Sequence, residues 1–145
     1  MSDVKIFKNS SEKPFETFLE DLTLEIEKAG FSIENREKSD LIAFYRSAGV
    51  DIDNNYKHVV LQICKPERSG QTLPVNPERC VFLQKFIFVY NKGGRTEVRF
   101  LGYSAKLMGD LLGHNEFEKG ASDDMFAAGL NETFLNMEKI VSAAV

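Results

Sequence analysis

The sequence predicts an α+β domain: a mostly antiparallel sheet with helices packed on one face, and a further helix at the C-terminus. Three observations predict it. Apolar residues recur at helical spacing at Phe15, Phe18, Leu19, Leu22, Ile26 and Ala29, and again at Phe126, Leu130, Phe134, Met137 and Val141. Between these stretches lie apolar runs of strand length, Tyr56 to Cys64 and Val81 to Tyr90. Asn91-Lys92-Gly93-Gly94 then joins the second run to an alternating segment, which is the signature of a hairpin.

Val4-Lys5-Ile6-Phe7 alternates weakly and reads as an edge strand. Helix one is expected over residues 12–29, with Ser11 as its cap, Pro14 in its first turn and Gly30 just past its end. Phe31-Ser32-Ile33 starts a short strand. Asp40 to Tyr45 fits either a strand or a short helix capped by Ser39. Gly49 to Asn55 reads as a turn region. Tyr56 to Cys64 is a strand ended by Pro66. Glu67 to Arg79 reads as a loop, because Ser69-Gly70, Pro74 and Pro77 interrupt any regular pattern. Thr96, Val98 and Phe100 alternate with Arg95, Glu97 and Arg99, as a half-exposed return strand does. Ser104 caps a helix through Leu107, Met108, Leu111 and Leu112 that Gly113 stops. Ser122 caps the last helix, with Asp123 and Asp124 in its first turn.

The chain has 145 residues, with 43% hydrophobic and 28% charged residues. That predicts a single domain over residues 1–145, ending in a helical segment from residue 104 onward, with a core that needs neither disulfide nor structural metal. No apolar run is long enough for a membrane helix. The N-terminus lacks an apolar leader, which predicts a cytoplasmic protein with Cys64 and Cys80 reduced. Net charge is −4, but residues 57–100 carry eight Lys/Arg against three Asp/Glu. An acidic protein with a basic middle is not expected to bind nucleic acid generally; the basic stretch is read first as the solvated faces of two or three strands, and is compatible with a local site for a small anion.

Two candidate sites follow. Cys64 stands at a strand end beside Lys65 and near Arg68, and neighbouring cations favour a thiolate able to carry sulfur or sense redox state. The competing reading is a small buried hydrophobe, the commonest role of cysteine. His58 lies on the same strand but six residues away, too far to serve as base for Cys64. The second candidate is an anion site around the proline-containing loop, formed by Lys65, Arg68, Ser69, Arg79 and Lys85. Its competing reading is a set of solvated loop side chains. Asp51 to Asn55 lacks the glycine and glutamate of a calcium loop. His114, Glu116, Glu118, Asp123 and Asp124 are better explained by helix capping than by a metal. No metal and no cofactor is expected.

The run Ile63-Cys64-Lys65-Pro66-Glu67-Arg68-Ser69-Gly70 ends a strand, and Leu83 leads into Ile87-Phe88-Val89-Tyr90. The Gly93-Gly94 hairpin, Val98, Tyr103 and a short helix follow. With the opening helix and Phe31, this arrangement resembles the bacterial and archaeal family known as domain of unknown function 302, over residues 11–113. Two positions depart from the family pattern: Lys65 stands where the loop has a family-like Asn, and Gln84 where a Pro precedes the hairpin strand. The resemblance implies a compact α+β fold that dimerises, and no established activity. The combined expectation is a non-catalytic homodimeric module that binds a small anionic ligand or a protein partner. The alternative is a thiol-based sulfur carrier or redox protein using Cys64. A third reading is a purely structural dimer of no independent chemistry, whose apolar patch would come from any exposed members of Phe82, Phe86, Phe88 and Phe100, core burial being their default role.

Overall fold

The computed structural model describes residues 3–112 and 123–145, with side chains of the last helix described from residue 128 onward. Among the described residues five strands form one antiparallel sheet: β1 (Val4–Ser11), β2 (Ser32–Ile33), β3 (His58–Cys64), β4 (Lys85–Lys92) and β5 (Arg95–Tyr103), in the spatial order β1-β5-β4-β3-β2. The described α-helices are α1 (Phe15–Lys28), α2 (Leu41–Ser47), α3 (Pro66–Val75), α4 (Cys80–Leu83), α5 (Ala105–Leu112) and α6 (Asp123–Ala144). The chain is therefore α+β.

Helix α1 buries Phe15, Phe18, Leu22 and Ile26, the stripe its periodicity predicts. It packs against α6, and together they cover one face of the sheet. From that face Val59, Leu61 and Ile63 of β3, Ile87 and Val89 of β4, and Val98 and Phe100 of β5 enter the core, meeting Met137, Ile140 and Val141 of α6. Fully burying each such side chain contributes roughly 1.5–3 kcal/mol. The opposite face has no such cover among the described residues. There Ile6 is 60%, Leu101 50% and Phe86 44% exposed.

The turns follow local chemistry. Gly93 and Gly94 both take positive φ (58° and 79°), the backbone a two-residue hairpin demands between Lys92 and Arg95. Gly30, at φ 87°, ends α1 by donating its N–H to the Glu27 carbonyl. The C-terminal residues are fastened to the β1–α1 corner. Ser11 Oγ donates to the Val145 carbonyl (3.0 Å), and Lys13 Nζ donates to the Ala144 carbonyl (2.7 Å) and to Asp21 (2.8 Å).

Several sequence expectations change. β1 continues to Ser11, so α1 starts at Phe15 with Pro14 as the flanking residue and Ser11 is not its cap. The 40–45 segment is helical, and its cap is Asp40, whose carboxylate accepts from Ile42 and Ala43 N–H. The expected loop 67–79 is α3 followed by a 3₁₀ turn, Pro77–Arg79. Pro66 sits in the first turn, where its missing N–H removes no bond, and Pro74 falls one residue from the end. Gly70 in mid-helix is tolerated as well. Residues 80–83 are helical, so β4 starts at Lys85. Ser104 Oγ caps α5 through Leu107 N–H (3.1 Å), as expected. Gly113, Ser122 and the group His114, Glu116 and Glu118 lie outside the described residues, as do the side chains of Asp123, Asp124 and Phe126.

Candidate functional site

An open cleft of about 490 Å³ lies where α3 and the start of β4 meet α6. Its lining includes Cys64, Lys65, Arg68, Ser69 and Lys85, five of the six residues singled out from sequence. The chain brings them there in two ways. β3 ends at Cys64, and α3 turns back directly after it, carrying Arg68, Ser69 and Thr72 to the rim. Lys85 opens β4 in register with Ile63. The period-2 alternation that buries Ile87 and Val89 puts Lys85 on the same, helix-covered side.

Lys85 is the most unusual of these groups. It is 9% exposed, and its ammonium group donates to the Phe82 carbonyl. It stands 5.7 Å from the ring centre of Tyr103 and 5.9 Å from that of Phe134. Burial pushes its pKa down to about 8. Lys65 Nζ lies 4.9 Å over the ring of Phe31, which lines the same cleft. Arg68 makes a 3.4 Å pair with Glu132 of α6 across the rim. Among the described residues the lining thus carries three cations against a single carboxylate, together with Ser69, Thr72 and Thr133, the last of which donates its hydroxyl to the Gly129 carbonyl (2.9 Å).

The comparisons with known proteins bear on the whole chain. The model for the domain of unknown function DUF302 matches residues 7–134. The chain belongs to that family. A crystal structure of an uncharacterised conserved DUF302 protein from Bacillus stearothermophilus matches with a TM-score of 0.62 at 17% identity, covering 96% of this chain and 94% of that one. At that identity the likeness speaks for the DUF302 fold alone. No curated protein matches.

Within this DUF302 fold the remaining sequence candidates separate. Arg79 is not part of the cleft lining; it is 1% exposed inside the molecule, so it is not a solvated loop cation. Cys64 is 4% exposed, and its thiol donates to Glu34 Oε1 at 2.9 Å. Burial first, then the Glu34 carboxylate, pushes the thiol up to about 11, although Ser69 works in the opposite sense. The thiolate expected from Lys65 and Arg68 is not favoured: burial, and then the Glu34 carboxylate that follows β2, hold the thiol protonated. Glu34 is in turn held by Gln62 (3.1 Å) and by Gln84 (3.3 Å), the residue that departs from the family pattern. Cys64 and Cys80 are both free thiols. His58 stands at the far end of β3, with Nδ1 2.6 Å from the Tyr56 hydroxyl and its ring stacked on Tyr90 (5.2 Å).

Sequence reasoning missed the contribution of α6. Gly129, Leu130, Glu132 and Thr133 form one wall of the cleft, and no local motif marks them. A hollow of similar size, about 510 Å³, lies beside α1 and β2. Its charged lining is Glu16, Glu20 and Glu27 against Arg36, the reverse of an anion site. Among the described residues no group of three His, Cys, Asp or Glu side chains is placed to hold a metal ion. No described helix is long and apolar enough to cross a membrane.

Proposed function

We propose that the protein is a binding module whose cleft between α3, β4 and α6 takes a small anionic ligand. The observation that carries this reading is the convergence of Lys65, Arg68 and Lys85 on one cleft with three hydroxyl side chains. An anion entering there gains a charge-assisted hydrogen bond from Arg68 and the attraction of Lys65 and Lys85, with the Thr72 hydroxyl in the same lining. Arg68 swaps its exposed partner Glu132 for the ligand, so little is lost on binding. The test is a titration with inorganic phosphate and pyruvate followed by backbone amide chemical shifts. Shifts confined to 64–72, 85 and 129–133, weakened by Arg68→Ala in a variant with unchanged melting temperature, support the reading. Unchanged affinity in that variant removes the cleft as the anion site.

We also propose that the module is a homodimer joined through the open face of the sheet. Ile6, Leu101 and Phe86 support this, since they are large, exposed and on one face. Of the four phenylalanines considered from sequence, Phe100 is buried, Phe82 and Phe88 are half-buried, and Phe86 alone is exposed. Light scattering on the intact chain and on Leu101→Asp tests it: a dimer that the substitution converts to monomer is expected, and a monomeric wild type overturns it. Sulfur or redox chemistry at Cys64 has weaker support, because the thiol stays protonated at neutral pH.

A further inference from the structure

The cleft is larger and more apolar than a bare anion needs. Its volume of about 490 Å³ lies within the roughly 300–1,000 Å³ of pockets that take whole small molecules. Phe31, Leu83, Ala128 and Leu130 line it beside the polar groups. Phe31 and Leu130 keep only 4% and 6% exposure, so they form a floor, while Leu83 is half-buried and Ala128 exposed. Gly129 adds no side chain, and a Cβ there meets nothing within 4 Å, so this wall stays open. Fewer polar groups are available to a ligand than stand in the lining. Thr133 donates to the Gly129 carbonyl, Ser69 acts on the Cys64 thiol, and the Lys85 amine is held by the Phe82 carbonyl, outside the lining. Arg68 and Lys65 remain, one in α3 and one directly before it, with Gln71 and Thr72 on the same helix. Arg68 is exposed and pairs with Glu132, and Lys65 lies over the Phe31 ring. An ion charged on every side asks for donors all round. This arrangement suits one charged end and an apolar remainder.

We propose that the ligand of this cleft is a carboxylate with an apolar chain, of the class of medium-chain fatty acids, held by Arg68 and Lys65 at its charged end. This rests on the anion reading of the same cleft and names the class of ligand. Arg68 meets the carboxylate with its forked guanidinium, and the Lys65 ammonium adds its charge. The chain lies over Phe31 and Leu130, against Leu83 and along the open strip at Ala128 and Gly129. The two ends contribute differently. The ion pair forms at a rim that water reaches, so it orients the ligand more than it tightens binding. The chain supplies the affinity, because each methylene taken out of water contributes about 0.8 kcal/mol, or about fourfold in binding. Cys64 fits the same reading. It lines the cleft as a small buried thiol whose proton is given to Glu34, and so presents no charge to the chain.

The test is a titration of the intact chain at pH 7.5 with acetate, butyrate, hexanoate and octanoate, beside inorganic phosphate and 1-octanol. Amide chemical shifts give both the affinity and the place of binding. The expected result is affinity that rises with chain length, approaching about fourfold for each methylene that becomes buried. Octanoate shifts fall on 64–72, 83–85 and 128–133, and Arg68→Ala weakens its binding. Leu83→Ser weakens octanoate at least about threefold and leaves phosphate unchanged. Leu83 lies outside the buried core clusters, so this variant keeps its fold, which its amide spectrum checks. The chain-length series on the unaltered protein stands independently of it. Acetate and phosphate binding as tightly as octanoate, all weakened by Arg68→Ala, overturns the apolar chain and leaves the anion site standing. Octanol binding as tightly as octanoate, with both indifferent to Arg68→Ala, overturns the carboxylate and the anion reading together. No binding by any probe overturns both. Octanoate shifts centred on Ile6, Phe86 and Leu101 place the chain on the open sheet face and overturn the proposal.

Discussion

Lys85→Met keeps an unbranched side chain one atom shorter and removes its ionisation, so its pH dependence isolates what a buried ammonium group does to this fold. In the folded protein burial holds the group down to about 8, against an ordinary value of 10.5. Between those values the unfolded chain binds more protons than the folded one. Stability therefore rises with pH across that window, and the full penalty is present below it. The gap corresponds to about 3 kcal/mol, of which roughly 2 kcal/mol is recovered between pH 7 and pH 9.5. The Phe82 carbonyl keeps its Tyr103 donor in the variant, so no buried acceptor is orphaned. The assay is urea unfolding of the parent chain and its Lys85→Met variant at both pH values, each carrying Cys64→Ser. That background is needed because the thiol, pushed up to about 11, titrates in the opposite sense. The folded state keeps a proton there that the unfolded state releases, so the thiol makes stability fall as pH rises through that range. The expected result is a parent chain that gains about 2 kcal/mol over the Lys85→Met variant on going from pH 7 to pH 9.5. Identical pH responses would refute the claim that Lys85 is charged and buried at neutral pH.

Three other outcomes are expected. Gly129→Ala raises the melting temperature by the equivalent of about 1 kcal/mol, because a mid-helix glycine is replaced where the added Cβ meets nothing within 4 Å; the same methyl group narrows the cleft and weakens phosphate binding. Lys13→Met destabilises the fold by roughly 1 kcal/mol in urea, because it removes one of the two side-chain ties between the α6 carboxyl end and the β1–α1 corner, leaving only that of Ser11. Iodoacetamide at pH 7.5 modifies exposed Cys80 well before Cys64, read by peptide mass mapping; faster reaction at Cys64 would restore the thiol reading.

Local pattern alone determined much of this protein. The stripe of α1, the β3 run, the two-glycine hairpin and the Ser104 cap each rest on interactions between near neighbours in sequence, so periodicity and turn chemistry suffice to place them. Family membership was legible for a related reason, since it rests on the order of such segments. The positions Lys65, Arg68, Ser69 and Lys85 were also readable as a group, because they flank one connection. Even the burial of Lys85 has a sequence signal: it shares the period of Ile87 and Val89 on one strand.

Tertiary structure decided the rest. Helix α3 forms in spite of Gly70 and Pro74, since their propensity cost is worth at most a few kcal/mol and Pro74 forfeits only a last-turn bond. The state of Cys64 depends on Glu34, thirty residues away and brought alongside by the β2–β3 pairing. Arg79 reads as a loop cation until packing buries it. The cleft itself needs α6, whose wall of Gly129, Leu130 and Thr133 meets α3 only because α6 docks across the sheet. Desolvation and long-range approach set each of these, and neither is a property of neighbouring residues in the chain.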